Sequence, residues 1–196
     1  MSALTRAAAT LALVLPLLAA CTTPPDAPKF ADITFEHRPD IEMDVADIVV
    51  EQAYQAPMEA PNVDHLFPVQ PARALMAWGQ DRLVAMGERG LATYTVTDAS
   101  AVVEDLGTDQ SLSDYFTTEQ AERYTLKMAV RLSVEHPGGT ASIRVTGQRA
   151  TTVPEGASVF DRERVWYEMT EKLMADMDAE LETTLRQELG RYVLSK

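Results

Sequence analysis

A thiol or hydroxyl acts as a nucleophile only with a base in reach, and the residues that could supply such chemistry here are Cys21, the one cysteine, and three histidines, His37, His65 and His136. The histidines are spread over about a hundred residues and form no compact set of metal-ligand spacing. A single cysteine leaves no internal disulfide framework. His136 precedes Pro137-Gly138-Gly139, a turn sequence in which a histidine is ordinarily just solvated. No Gly-x-Ser-x-Gly elbow, Walker glycine loop or dinucleotide fingerprint occurs. Asp176, Asp178, Glu180 and Glu182 lie close in sequence, but a calcium loop wraps its oxygens around a glycine-bearing turn. On a helix, alternate residues point about 200° apart and cannot converge, so this cluster reads as a solvated helix face. No enzyme activity, cofactor or metal is expected.

The 196 residues carry 17 Lys and Arg against 30 Asp and Glu, a formal net charge of −13, and 46% are hydrophobic. Phosphate binding draws most of its affinity from basic side chains, so no nucleic-acid partner is expected. Length and apolar content suffice for an ample core.

The first twenty residues hold one charge, Arg6, and then the apolar run Ala7–Leu18. That run is too short to cross about 30 Å of hydrocarbon as a helix and reads as a signal peptide. It ends in Leu18-Ala19-Ala20-Cys21, which resembles the lipobox of bacterial lipoproteins. The resemblance implies cleavage before Cys21, a diacylglyceryl group on its thiol and acylation of the new amino terminus. Each buried methylene contributes roughly 0.8 kcal/mol, so two or three acyl chains anchor stably where one does not. The alternative is an ordinary secretory signal whose cleavage site happens to end in Cys. Thr22, not Asp, follows Cys21, and by analogy with envelope sorting in enteric bacteria this implies the outer membrane, facing the periplasm. Residues 21–40 include Pro24, Pro25, Pro28 and Pro39, a composition that stays extended as a tether. The expected organisation is a signal peptide over 1–20, lipidated Cys21 and tether over 21–40, and one domain over 41–196.

Within that domain, Ile41–Tyr54 alternates like a strand, with a break near Asp47 that suggests a bulge. Pro57–Pro71 is a proline-rich loop. Pro71 suits a first helical turn, and Ala72, Met76, Gly79, Leu83 and Met86 continue a helical stripe that Gly87 and Gly90 would stop. A strand is expected from about Leu91 to Leu106 with a kink at Ala99-Ser100, followed by a polar connection with a short helical turn at Thr118–Ala121. Tyr124–Glu135 alternates strictly, with Tyr124, Leu126, Met128, Val130, Leu132 and Val134 on one face and Thr125, Lys127, Arg131 and Ser133 on the other. His136-Pro137-Gly138-Gly139 then turns it into a hairpin, in which Gly147 marks a bulge or loosened end. Ser158 to Asp161 has the form of a capping box, and Trp166, Met169, Leu173, Met177, Leu181, Leu185 and Leu189 predict a final helix near 45 Å long.

Strand, helix, three strands, helix predicts an α+β two-layer sandwich, with a mixed four-stranded sheet and both helices on one face. Behind a lipobox, this layout over about Ile41–Leu189 resembles the ABC-type transport auxiliary lipoproteins and the lipopolysaccharide-assembly lipoproteins. Asn62–Pro68 and Ala121-Glu122-Arg123-Tyr124 also resemble uncharacterised lipoproteins of alphaproteobacterial type, which imply no activity. The resemblance implies a non-enzymatic, lipid-anchored component that docks on an envelope transport or assembly complex. Candidate docking residues are Lys127 and Arg131 on the polar sheet face, and His65 and Phe67 in the loop. For the loop, packing favours the competing reading that Leu66 and Phe67 staple it to the core. The alternative function is a periplasmic module holding a lipid or other apolar ligand between sheet and helices.

Overall fold

The computed structural model describes residues 30–107 and 120–194. The expected signal peptide, Cys21 and the first part of the tether lie outside them, as do Thr118 and Glu119 of the expected helical turn.

Strict alternation sets the centre of the molecule. Tyr124, Leu126, Met128, Val130, Leu132 and Val134 are all buried, while Lys127 and Arg131 are exposed. They belong to β6 (Gln120–His136), which reverses into β7 (Gly139–Pro154). The hairpin runs in register from His136↔Gly139 to Glu122↔Val153. Its turn closes on Gly139 at φ 121°, a backbone state that glycine adopts without steric cost.

On the other side of β6 lie, in tandem, β4 (Leu91–Asp98) and β5 (Ala101–Asp105), both antiparallel to it. The expected kink is the interruption between them, where Asp98 Oδ1 accepts the Ser100 amide at 3.0 Å. β2 (Asp47–Gln52) pairs parallel with β4, so the sheet is mixed and has four strand positions. α1 (Pro71–Arg82) and α2 (Val159–Glu188) both pack on its inward face. Trp78 of α1 stacks on Tyr94 of β4 with centroids 5.5 Å apart, and Trp166 of α2 meets Tyr124 of β6 edge-on at 5.4 Å. Ser158 Oγ accepts the Asp161 amide at 3.1 Å and opens α2 as the capping box predicts. The result is an α+β fold with no closed barrel.

Five local expectations are corrected. The break near Asp47 is not a bulge, because β1 (Ile41–Met43) leaves the main sheet and pairs parallel with β3 (Leu83–Ala85) in a two-stranded sheet of its own. The chain reverses against Gly87, whose amide donates to Val45 O at 3.0 Å. A Cβ there would lie 2.6 Å from the backbone of Asp44 and Val45. α1 accordingly stops at Arg82: Leu83 is buried in a strand, Met86 is exposed, and the core face of α1 includes Leu75, Trp78 and Arg82.

Gly147 is neither a bulge nor a loosened end. It pairs in register with Met128, and a Cβ would meet Leu173 Cδ1 and Met177 Sδ at 2.9 Å each, so the missing side chain is what lets α2 approach β7 closely. Gln120 and Ala121, read as part of a helical turn, open β6 instead. Finally, residues 30–40 lie against the helices and are not a free spacer. Phe35 is buried, its amide donates to Asp81 Oδ2 at 2.7 Å, and Phe30 stacks on Phe160 at 5.9 Å. Apolar side chains in a proline-punctuated stretch are enough to dock it.

Candidate docking face

The register of β6 decides what the open side of the sheet offers. Residues alternating with the buried set point away from the helices, so Lys127 and Arg131 stand on the face opposite α1 and α2. Arg131 is flanked by Thr95 on β4 and by Arg144 on β7, and Lys127 by Gln148. Arg131 and Arg144 are direct cross-strand partners, an arrangement of like charges that costs stability. Arg123, further along β6, faces Glu104 of β5 at 3.9 Å, and Thr95 Oγ1 donates to Glu51 at 2.9 Å. Among the described residues, the side chains of Lys127, Arg131 and Arg144 have no ion-pair or hydrogen-bond partner. A chain of net charge −13 thus holds three exposed cations on one threonine-rich sheet face.

The other two candidates do not join them. Asn62 bridges to Val102, and the Val63 amide donates to Ala101 O at 2.8 Å, zipping the proline-rich loop to the edge of β5. A short 3-10 turn, Asp64–Leu66, then delivers Phe67 inward, where it stacks on Trp166 at 5.1 Å and 4°. Phe67 is 4% exposed and faces the helix layer, so it staples the loop and is not available to a partner. Leu66, its expected fellow staple, is 53% exposed. His65 is half-buried in the loop.

Sequence reasoning missed a second polar constellation, between the helices. Asp178 is 6% exposed, not part of a solvated face. It accepts Trp78 Nε1 at 2.8 Å, Arg82 Nε lies 3.3 Å away and Arg38 Nε 3.1 Å. Arg82, fully buried, also reaches Glu182 and donates to Pro39 O. Burial opposes ionisation of Glu182, but hydrogen bonds from Arg186 and the charge of Arg82 outweigh it and hold its carboxyl below the usual range. The signal was present in the sequence: Asp178 is four residues from Met174, and Arg82 four from Trp78, so each falls on the buried side of its helix. Each buried charge has an opposite partner, which is the pattern of a structural lock rather than of a reactive group. Beside it, a cleft of about 510 Å³ opens between residues 32–38 and α2, lined by Phe35, His37, Arg38, Tyr167, Glu171 and Met174. His37 lies in this cleft, apart from His136, which packs edge-on against Tyr192 at the hairpin turn.

Among the described residues no three His, Cys, Asp or Glu side chains come together as metal ligands, and no helix is long and apolar enough to cross a membrane. No family model matches the chain, and no curated protein matches it in sequence. Among solved structures it is similar to rare lipoprotein B from Shewanella oneidensis, at 10% identity and a TM-score of 0.32 over 72% of this chain and 97% of that one. It is also similar to a Xanthomonas campestris protein of the DUF330 family, at 6% identity and 0.38 over 80% and 93%. A minor lipoprotein from Acinetobacter baumannii aligns at 11% identity and 0.33 over 71% and 94%. Two of these three bear the name lipoprotein, but at such scores the alignments carry no argument about activity or partner.

Proposed function

We propose that this chain is a non-enzymatic envelope lipoprotein, acylated at Cys21, that docks an acidic protein partner through the open face of its sheet. The observation that carries the reading is the row of exposed cations, Lys127, Arg131 and Arg144, without partners among the described residues on an otherwise acidic chain. A surface that keeps like charges side by side gives up some stability, and complementary charge on a partner would recover it while speeding and orienting encounter. The lipobox resemblance supplies the anchor, and the resemblance of the layout to transport auxiliary and lipopolysaccharide-assembly lipoproteins supports a component of an envelope transport or assembly complex. Thr22 supports the outer membrane, with the body facing the periplasm.

The rival reading, an apolar ligand held between sheet and helices, meets a filled interior: Tyr94, Leu126, Met128, Leu132, Met174 and Met177 occupy that space and are at most 2% exposed. To test the docking reading, a photo-reactive side chain is placed at Ser133, on the open face, or at Glu171, on the outer side of α2, in cells making the full-length protein. A discrete protein adduct from position 133 alone supports the proposal. Adducts from 171 alone would move the interface to the helices and contradict it.

A further inference from the structure

The described chain starts at Phe30, and Phe30 packs on the first turns of α2, 5.9 Å from the Phe160 ring and 5.2 Å from that of Tyr167. The same end of the molecule carries the Gln120↔Pro154 pair that opens the long hairpin, and the Ser158 cap. The opposite end is marked by the hairpin turn, where Tyr192 Oη donates to Gly139 O at 2.9 Å. α2, with 30 residues, separates the two ends by about 45 Å. At the Phe30 end, Val159 and Phe160 are consecutive, 70% and 43% exposed. Phe160 gives part of its ring to Phe30, yet both side chains stay exposed at the first turn of a helix whose cap, Ser158, is already satisfied.

We infer that this end of the body rests on the bilayer, with Val159 and Phe160 in the headgroup region of a zwitterionic membrane. The inference builds on the proposed acylation of Cys21. Eight residues, 22–29, lie between Cys21 and Phe30, and at no more than about 3.6 Å per residue they hold Phe30 within roughly 30 Å of the acyl chains. The exposed apolar pair is thereby the part of the described surface next to where the anchor strand arrives. Local charge selects the lipid class. Glu155, Asp161 and Glu163 lie within four residues of the pair in sequence, while Arg162 and Arg164 are engaged by Glu122 and by Asp161 and Glu168. Among the described residues near the pair no cation is left unpaired for anionic headgroups, and the fit is an uncharged surface such as phosphatidylethanolamine. The domain then stands upright, with the hairpin turn farthest from the membrane and the open sheet face turned sideways, clear of the lipid.

The test uses the full-length protein purified from membranes and reconstituted into phosphatidylethanolamine-rich vesicles, with a nitroxide attached in the Val159→Cys variant or, at the far end, in Thr140→Cys. Acylated Cys21 cannot react with the label, and mass spectrometry of the amino-terminal peptide establishes its state in the same sample. The expected result is a several-fold rise in the ratio of oxygen to water-soluble nickel-chelate accessibility at position 159 on adding vesicles, and none at position 140. Equal water access at both positions with Cys21 acylated overturns the inference and leaves the anchor standing. An unacylated Cys21 with no vesicle binding overturns both. A Phe160→Asp variant, which leaves the Ser158 cap in place, should abolish the rise at position 159 while the protein still floats with the vesicles.

Discussion

Removing the Asp178 carboxylate would leave Arg82 fully buried with half of its neutralising charge gone. Asp178→Ala is therefore expected to cost about 3 kcal/mol, the lower end for breaking a buried ion pair, because Glu182 and Pro39 O remain. Asp176→Ala removes only the exposed pair with Arg149 at 2.8 Å and should cost less than about 1 kcal/mol. Urea unfolding of the two variants checks the contrast. The same lock gives the acid limb of stability its sign. Because the folded-state pKa of Glu182 is lowered, its contribution is present above the unfolded glutamate range and is lost as pH falls through the lowered value. Glu182→Gln should flatten that part of the acid limb, which urea midpoints measured at descending pH would reveal. The lock was hidden in the sequence by a reasonable argument: four alternating carboxylates cannot converge on one ion, and they do not. Residues four apart nevertheless share a helix face, and this turns two of the four, Asp178 and Glu182, toward the neighbouring helix, where Arg82 meets both and Trp78 meets Asp178.

At the scale of elements, the proline-rich loop divides its two large side chains. Phe67→Ala should cost about 3–5 kcal/mol by emptying the stack on Trp166, whereas Leu66→Ala, at a position 53% exposed, should be close to neutral. Thermal melts of both variants test this, since only the Phe67 change should lower the midpoint. Much of the architecture was legible here, because period-two alternation in Tyr124–Val134 and the three-and-four spacing of Trp166–Leu189 each specify one buried face. What could not be read was long-range. The split of Ile41–Tyr54 into β1 and β2 depends on β3 arriving from beyond α1 and on Gly87 admitting the backbone of Asp44 and Val45. A strand-length run after a helix, Leu83–Ala85, looks like more helix until its parallel partner is known. Gly147 likewise signals a weak strand locally and a close helix contact in three dimensions.

For the whole molecule, the two layers leave the faces of the sheet unequal. One side of the sheet is occupied by α1, α2 and residues 30–40; the other carries Lys127, Arg131 and Arg144 and is covered by no described element. Lys127 and Arg131 were readable as an outward-facing pair from alternation alone, but Arg144 joined them only through the hairpin register. Reversing charge at exposed positions should leave the fold intact, so the Lys127→Glu/Arg131→Glu double variant is expected to melt within a degree or two of the parent or slightly above it, since it also relieves the Arg131–Arg144 repulsion. Binding through this face should weaken with added salt, because salt screens exposed charges and the long-range attraction that steers encounter. The most direct measurement is cross-linking of tagged full-length protein in its native envelope, with recovered partners compared between the parent and this double variant at equal abundance in the membrane fraction. The account predicts a discrete acidic partner whose recovery falls several-fold on charge reversal. Undiminished recovery of the same partner would contradict it.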